Sequence, residues 1–115
     1  MLSKNNRLDL KKDFSEIKRK GKVLKGKLFD FLFQKSAVDF CPPAFAFIVS
    51  KKIDKRATKR NRIKRLLSES VRSFLPQIKP GIKGVFLVKK EILEKNFTEI
   101  KNEVEVIFKE GNLFK

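Results

Sequence analysis

Between Phe45 and Ile78 the apolar residues of this chain change period. Phe45, Phe47 and Val49 recur at every second position, the spacing of one strand face. Ile63, Leu66, Leu67, Val71, Phe74, Leu75 and Ile78 follow threes and fours, the spacing of an amphipathic helix. The change takes place across Lys51 to Arg65 (KKIDKRATKRNRIKR), where nine of fifteen residues are lysine or arginine and only Asp54 is acidic. The stretch carries +8, half of the chain's formal +16. A junction between two ordered elements fixes such a face in space, and a fixed basic face suits a polyanion.

The remaining periodicity predicts the rest of the order. Leu10, Phe14 and Ile17 fall at helical spacing, which predicts a short helix from Leu10 to Lys20 with Gly21 as its stop. Lys22 to Lys35 alternates, with Phe29, Phe31 and Phe33 on one face and Leu28, Asp30 and Leu32 on the other, so a strand is expected there, with a short one at Lys22–Leu24 before it. Ala37 to Pro43 contains a Pro-Pro pair and reads as a loop. The next strand is expected over Ala44–Lys51, its second face formed by Ala44, Ala46, Ile48 and Ser50.

The basic helix is expected from about Ala57 to Gln77, closed by Pro76 and Lys79-Pro80-Gly81. Gly84 to Lys90 predicts a further strand, and Ile92 to Glu110 a last helix before Gly111. With no repeat, low-complexity tract or Gly/Ser linker, residues 1–115 are expected to form one domain. Its class is α/β, with three or four strands packed against helices.

Composition removes several function classes. One cysteine, Cys41, and no histidine leave no internal disulfide framework and no conventional zinc cluster, and they remove the commonest general base. Cys41 itself is expected to be a small residue beside Pro42 without a function of its own. Most of the twelve phenylalanines, in a chain with neither tryptophan nor tyrosine, are expected in the core. The N-terminal MLSKNNRLDLKKDF lacks the apolar run of a secretory signal, and no segment is long and apolar enough to span a bilayer, so a reducing cytoplasm is expected. A membrane-surface role fits poorly with a basic helix set among strands.

On a helical projection Asn61, Arg65 and Arg72 lie opposite Ile63, Leu67 and Phe74, while Arg56, Arg60 and Lys64 run along the flank of the apolar stripe. Arginine's planar fork suits phosphate, and helices that serve only solubility intersperse glutamate, of which this one has Glu69 alone. A DNA major-groove reader usually follows another helix or a zinc module. Here the helix follows a phenylalanine-rich strand, so RNA is favoured over DNA.

The run Lys51-Lys52-Ile53 followed by Ala57-Thr58-Lys59-Arg60-Asn61-Arg62-Ile63-Lys64-Arg65 closely resembles the "RNR" signature of the bacterial ribonuclease P protein subunit. Asn6-Arg7-Leu8, Asp13-Phe14, Gly21, the strand at Phe45 to Lys52 and the GVFLVKK strand fall in the same family order, so the resemblance covers nearly the whole chain. It implies a two-layer α+β sandwich similar to a ribosomal-protein domain, of order αβ(β)βαβα with a left-handed βαβ crossover through the basic helix.

The resemblance also implies an accessory subunit of an endoribonuclease that removes the 5′ leader of precursor tRNA. Catalysis would then belong to the RNA subunit and its magnesium ions, with no catalytic side chain, no metal site and no obligate protein partner in this chain. Carried over by position, Arg56, Lys59, Arg60, Asn61, Arg62, Lys64 and Arg65 would contact the RNA subunit. Phe14, Lys18, Phe47, Val49, Ser50 and Lys51 would line a cleft for the single-stranded leader. Lys18 stands where the family often has a second aromatic, which implies weaker stacking or a phosphate contact there.

Two other readings stay open at this level. A ribosomal or RNA-assembly protein could share the sandwich. A nuclease acting alone would need paired carboxylates, and Asp9, Asp13, Asp30, Asp39 and Asp54 are scattered without an evident pair.

Overall fold

Strand alternation and helical spacing both materialise in the computed structural model, which describes residues 2, 4–35 and 42–115. The elements run α1 (Leu10–Lys20), β1 (Lys22–Lys25), β2 (Phe29–Lys35), β3 (Ala44–Ile48), α2 (Ala57–Phe74), β4 (Ile82–Val88) and α3 (Phe97–Glu110), with 3₁₀ turns at Lys4–Asn6, Leu75–Gln77 and Lys90–Glu94. The fold is mixed α+β. The loop expected at Ala37–Pro43 is described only at Pro42 and Pro43, which lie outside regular structure, and Cys41 falls outside the described residues.

The four strands form one sheet in the order β1-β2-β4-β3. β1, β2 and β4 pair antiparallel, whereas β3 runs parallel to β4 and is joined to it through α2. A parallel neighbour needs such a crossover, and the basic helix supplies it.

Each strand divides its side chains between two faces. Phe31 opposes Phe86 in the β2–β4 register and Phe45 opposes Gly84 in the β3–β4 register, so the phenylalanines of three strands gather on one face. Phe29, Phe31, Phe45 and Phe86 are buried there with Phe108 of α3, and ring centroids of Phe31–Phe86 and Phe29–Phe86 lie 4.7 and 4.9 Å apart. α2 closes this layer with Ile63, Leu67, Val71 and Phe74, packed beside α3. A Cβ at position 84 would come within 2.5 Å of the Phe31 ring, so glycine is what lets that ring lie across β4.

The opposite face is smaller. Leu32 of β2 and Val85 of β4 are buried there beneath Ile17 of α1, with Leu8, Leu10, Phe14, Ile48 and Leu87 around them. Two polar contacts hold α1 to the sheet: Lys83 Nζ donates to Asp13 Oδ1 at 3.1 Å, and Gln34 Nε2 donates to Glu16 Oε1 at 3.2 Å. The sheet with α2 and α3 is the expected sandwich, and α1 crosses its other side.

Several boundaries differ from the expected ones. β3 stops at Ile48 because the chain turns at once, Ile53 N donating to Ser50 O at 3.0 Å. β4 begins two residues early, its β2 pairing already made at Ile82. α2 gives way at Leu75 to a 3₁₀ turn containing Pro76, which cannot donate to the ladder. The last helix starts at Phe97, not Ile92. Asn96 accepts from the Glu99 amide at 2.9 Å and Glu99 returns to the Asn96 amide, a capping box that separates α3 from the turn before it.

Candidate nucleic-acid interface

The basic stretch is shaped by its single acid. Asp54 Oδ1 accepts the Arg56 amide at 2.8 Å, and the Arg56 guanidinium returns Nε to Oδ1 at 3.1 Å and a terminal nitrogen to Oδ2 at 2.9 Å. These hydrogen bonds hold the Asp54 carboxyl at about 2, well under its ordinary 3.8, and raise Arg56. Arg56 is the N-cap residue of α2. No side chain caps that helix end and no acid lies in its first turn, so its positive dipole end adds to the local field.

Along α2 the apolar stripe decides where the charges go. Ile63, Leu67, Val71 and Phe74 are buried against the sheet and α3, so Lys59, Asn61, Arg65 and Arg72 are exposed on the far side. Arg60, Arg62 and Lys64 are half-buried along the flanks. Of the seven residues expected to meet an RNA subunit, the structure therefore gathers all on one helix and its N-cap. Arg60 Nε is buried and has no hydrogen-bond partner among the described residues, an unusual state for such a donor.

The six residues expected to line one cleft do not share a face. Phe14 is half-buried on the α1 side, with Lys18 Nζ 5.9 Å from its ring centroid. Phe47 and Val49 belong to the other side: the Phe47 ring lies 5.2 Å from Phe86 at 23°, and Val49 is buried in the phenylalanine core. Ser50 and Lys51 are exposed beyond the end of β3. The reason is the two-residue period itself, because side chains one position apart leave a strand on opposite sides.

The residues that do stand on the Phe14 side of β3 and β4 are Ala44, Ala46 and Ile48 with Lys83, Val85 and Leu87, paired in register. Small residues stand at 44 and 46 on this face. The signal for this was present in the alternation of Ala44, Ala46, Ile48 and Ser50 as one face. Asp13 and Lys83, which set the height of α1 over the sheet, carried no signal short of the fold because they lie 70 positions apart.

Among the described residues no three carboxylates or thiols come together in a way that could hold a metal ion, and no helix is long and apolar enough to cross a membrane.

Known proteins resemble this chain in sequence and fold. The Ribonuclease P family model matches residues 2–111. The ribonuclease P protein component of Syntrophomonas wolfei is 32% identical over 114 residues, covering 99% of this chain and 93% of that one. Among solved structures, the RNase P protein from Thermotoga maritima aligns with a TM-score of 0.81 at 28% identity over 90% of this chain and 96% of its own. A Staphylococcus aureus RNase P protein mutant described as defective in mRNA degradation aligns with a TM-score of 0.87 over 96% of this chain and 92% of its own, at 23% identity, a likeness of fold.

Proposed function

This chain belongs to the ribonuclease P protein family, and from that membership we propose how its two sheet faces divide the work. As a protein component of ribonuclease P it is part of an endoribonuclease holoenzyme, associates with the ribonuclease P RNA and serves removal of the 5′ leader from precursor tRNA. In our reading α2 docks the RNA subunit through Arg56, Lys59, Arg60, Asn61, Arg62, Lys64 and Arg65. The leader lies on the opposite face, beside α1, against Phe14, Lys18, Ala46 and Ile48, with Ser50 and Lys51 at its end.

The observation that carries this reading is the basic row itself: Arg56, Arg60 and Lys64 follow four-residue steps beside the exposed Lys59, Asn61 and Arg65, at a helix start with no acid in its first turn. Such a row makes the anion a polyphosphate backbone, since several phosphates must be met along the helix.

Catalysis in this reading belongs to the RNA. Magnesium ions would be held by RNA phosphates, oxygen ligands of the kind that ion prefers. The protein lowers the repulsion where RNA subunit and leader converge, which strengthens substrate and metal binding on the RNA. A reducing cytoplasm is the setting we assign to it.

Reconstitution tests the reading. Added to a bacterial ribonuclease P RNA at low magnesium, the chain is expected to stimulate leader cleavage from precursor tRNA. Absence of stimulation, with RNA binding intact, would favour a ribosomal or assembly role instead.

A further inference from the structure

The edge of β3 carries a feature that RNA docking along α2 leaves unused. The N-terminal segment runs beside this edge: Leu8 N donates to Phe45 O at 3.0 Å, Arg7 bridges Phe45 in parallel, and Asn6 Nδ2 donates to Pro43 O at 2.8 Å. Between this segment and α2 lies a half-enclosed cavity of about 180 Å³. Its apolar lining comes from Leu2, Leu8, Phe45, Ala46 and Phe47, and its charges are Arg7 on one wall and Lys64 on the other. Among the described residues no carboxylate lines it.

We propose that this cavity accepts one unpaired base of the RNA that follows α2, a proposal that rests on the docking reading above. Three observations point to that occupant. One face of the Phe47 ring is stacked on Phe86 while the ring stays part-exposed, so a base on its other side would extend an existing stack. The volume lies below the roughly 300 Å³ at which pockets for drug-sized ligands begin, which suits a single ring system. Lys64 continues the row of Arg56 and Arg60, so a backbone held by that row passes the cavity mouth, where Lys64 and Arg7 meet the flanking phosphates from both sides.

The test compares a short oligoadenylate RNA with the same strand made abasic. Phe47→Leu keeps an apolar side chain and removes the ring. It is expected to weaken oligoadenylate binding by about five-fold or more and to leave abasic binding unchanged. Arg7→Ala, at an exposed position, is expected to weaken both strands and to reduce the salt slope by about 0.7. With the unaltered protein, 2-aminopurine placed in the strand is expected to lose fluorescence on binding, a readout that needs no variant to fold.

Equal loss on both strands for Phe47→Leu, no loss on either, or unquenched 2-aminopurine overturns the base site. The double variant Arg60→Ala/Arg65→Ala separates this from the premise. If it loses binding while Phe47→Leu is silent, only the base site fails; if it binds as the unaltered chain does, the docking reading fails as well.

Discussion

Asp54 grips Arg56 from two directions, accepting its backbone amide at 2.8 Å and its guanidinium at 2.9 and 3.1 Å. The one acid in the basic stretch thus orients the residue that opens α2. Arg56 stays 67% exposed, so its outer edge still faces solvent where an RNA would approach.

The Asp54 carboxyl should titrate at about 2 when followed by carboxyl-carbon NMR. Because the folded value is depressed, its contribution to stability is fully present above the ordinary 3.8 and is lost as pH falls through about 2. Asp54→Asn should lose that part of the pH dependence in acid unfolding. A midpoint near 3.8 would mean that the pair is open in solution.

Arg60→Ala/Arg65→Ala should weaken binding to ribonuclease P RNA and lower the slope of log affinity against log salt by about 1.4 to 1.8, two phosphate contacts' worth. Unchanged affinity and slope would place docking elsewhere on the molecule.

Phe14→Ala should weaken leader-bearing precursor tRNA by about 1 to 3 kcal/mol if the ring stacks on the leader. Mature tRNA, which lacks the leader, should bind as before. A matching loss for both, measured in a variant that still melts cooperatively, assigns the ring to packing on Ile17, Leu32 and Val85.

Gly84→Ala should destabilise the fold by about 1 to 3 kcal/mol in urea unfolding, because the added methyl meets the buried Phe31 ring at 2.5 Å. Little change would show that the phenylalanine layer can yield, contrary to its close centroid spacings.

Much of this architecture can be read from the chain. The α1 boundaries, the alternation of Phe29, Phe31 and Phe33, and the burial of Ile63, Leu67 and Phe74 follow from local spacing, which is why they were legible. The gathering of Arg56, Lys59, Arg60, Asn61, Arg62, Lys64 and Arg65 was legible for the same reason, since one helix and its N-cap carry them all. The proposed leader face was less so. The family resemblance, carried over by position, grouped Phe47 and Val49 with Phe14, yet their parity along β3 puts them on the other side. The start of α3 was marked by Asn96 and Glu99, three apart, a capping signal outweighed by the continuous apolar spacing from Ile92. Strand order has no local signal, because the β3–β4 pairing joins residues nearly forty positions apart.

Strand β3 serves both sides of the sheet from five residues, Phe45 and Phe47 inward to the phenylalanine layer and Ala44, Ala46 and Ile48 toward α1. A shift of one residue would exchange the two sets at a stroke. Large rings would then face α1 while alanines faced the core, so the packing on both sides of the sheet would fail together. A substitution in this segment disturbs one face at a time, whereas a one-residue insertion or deletion inverts both at once.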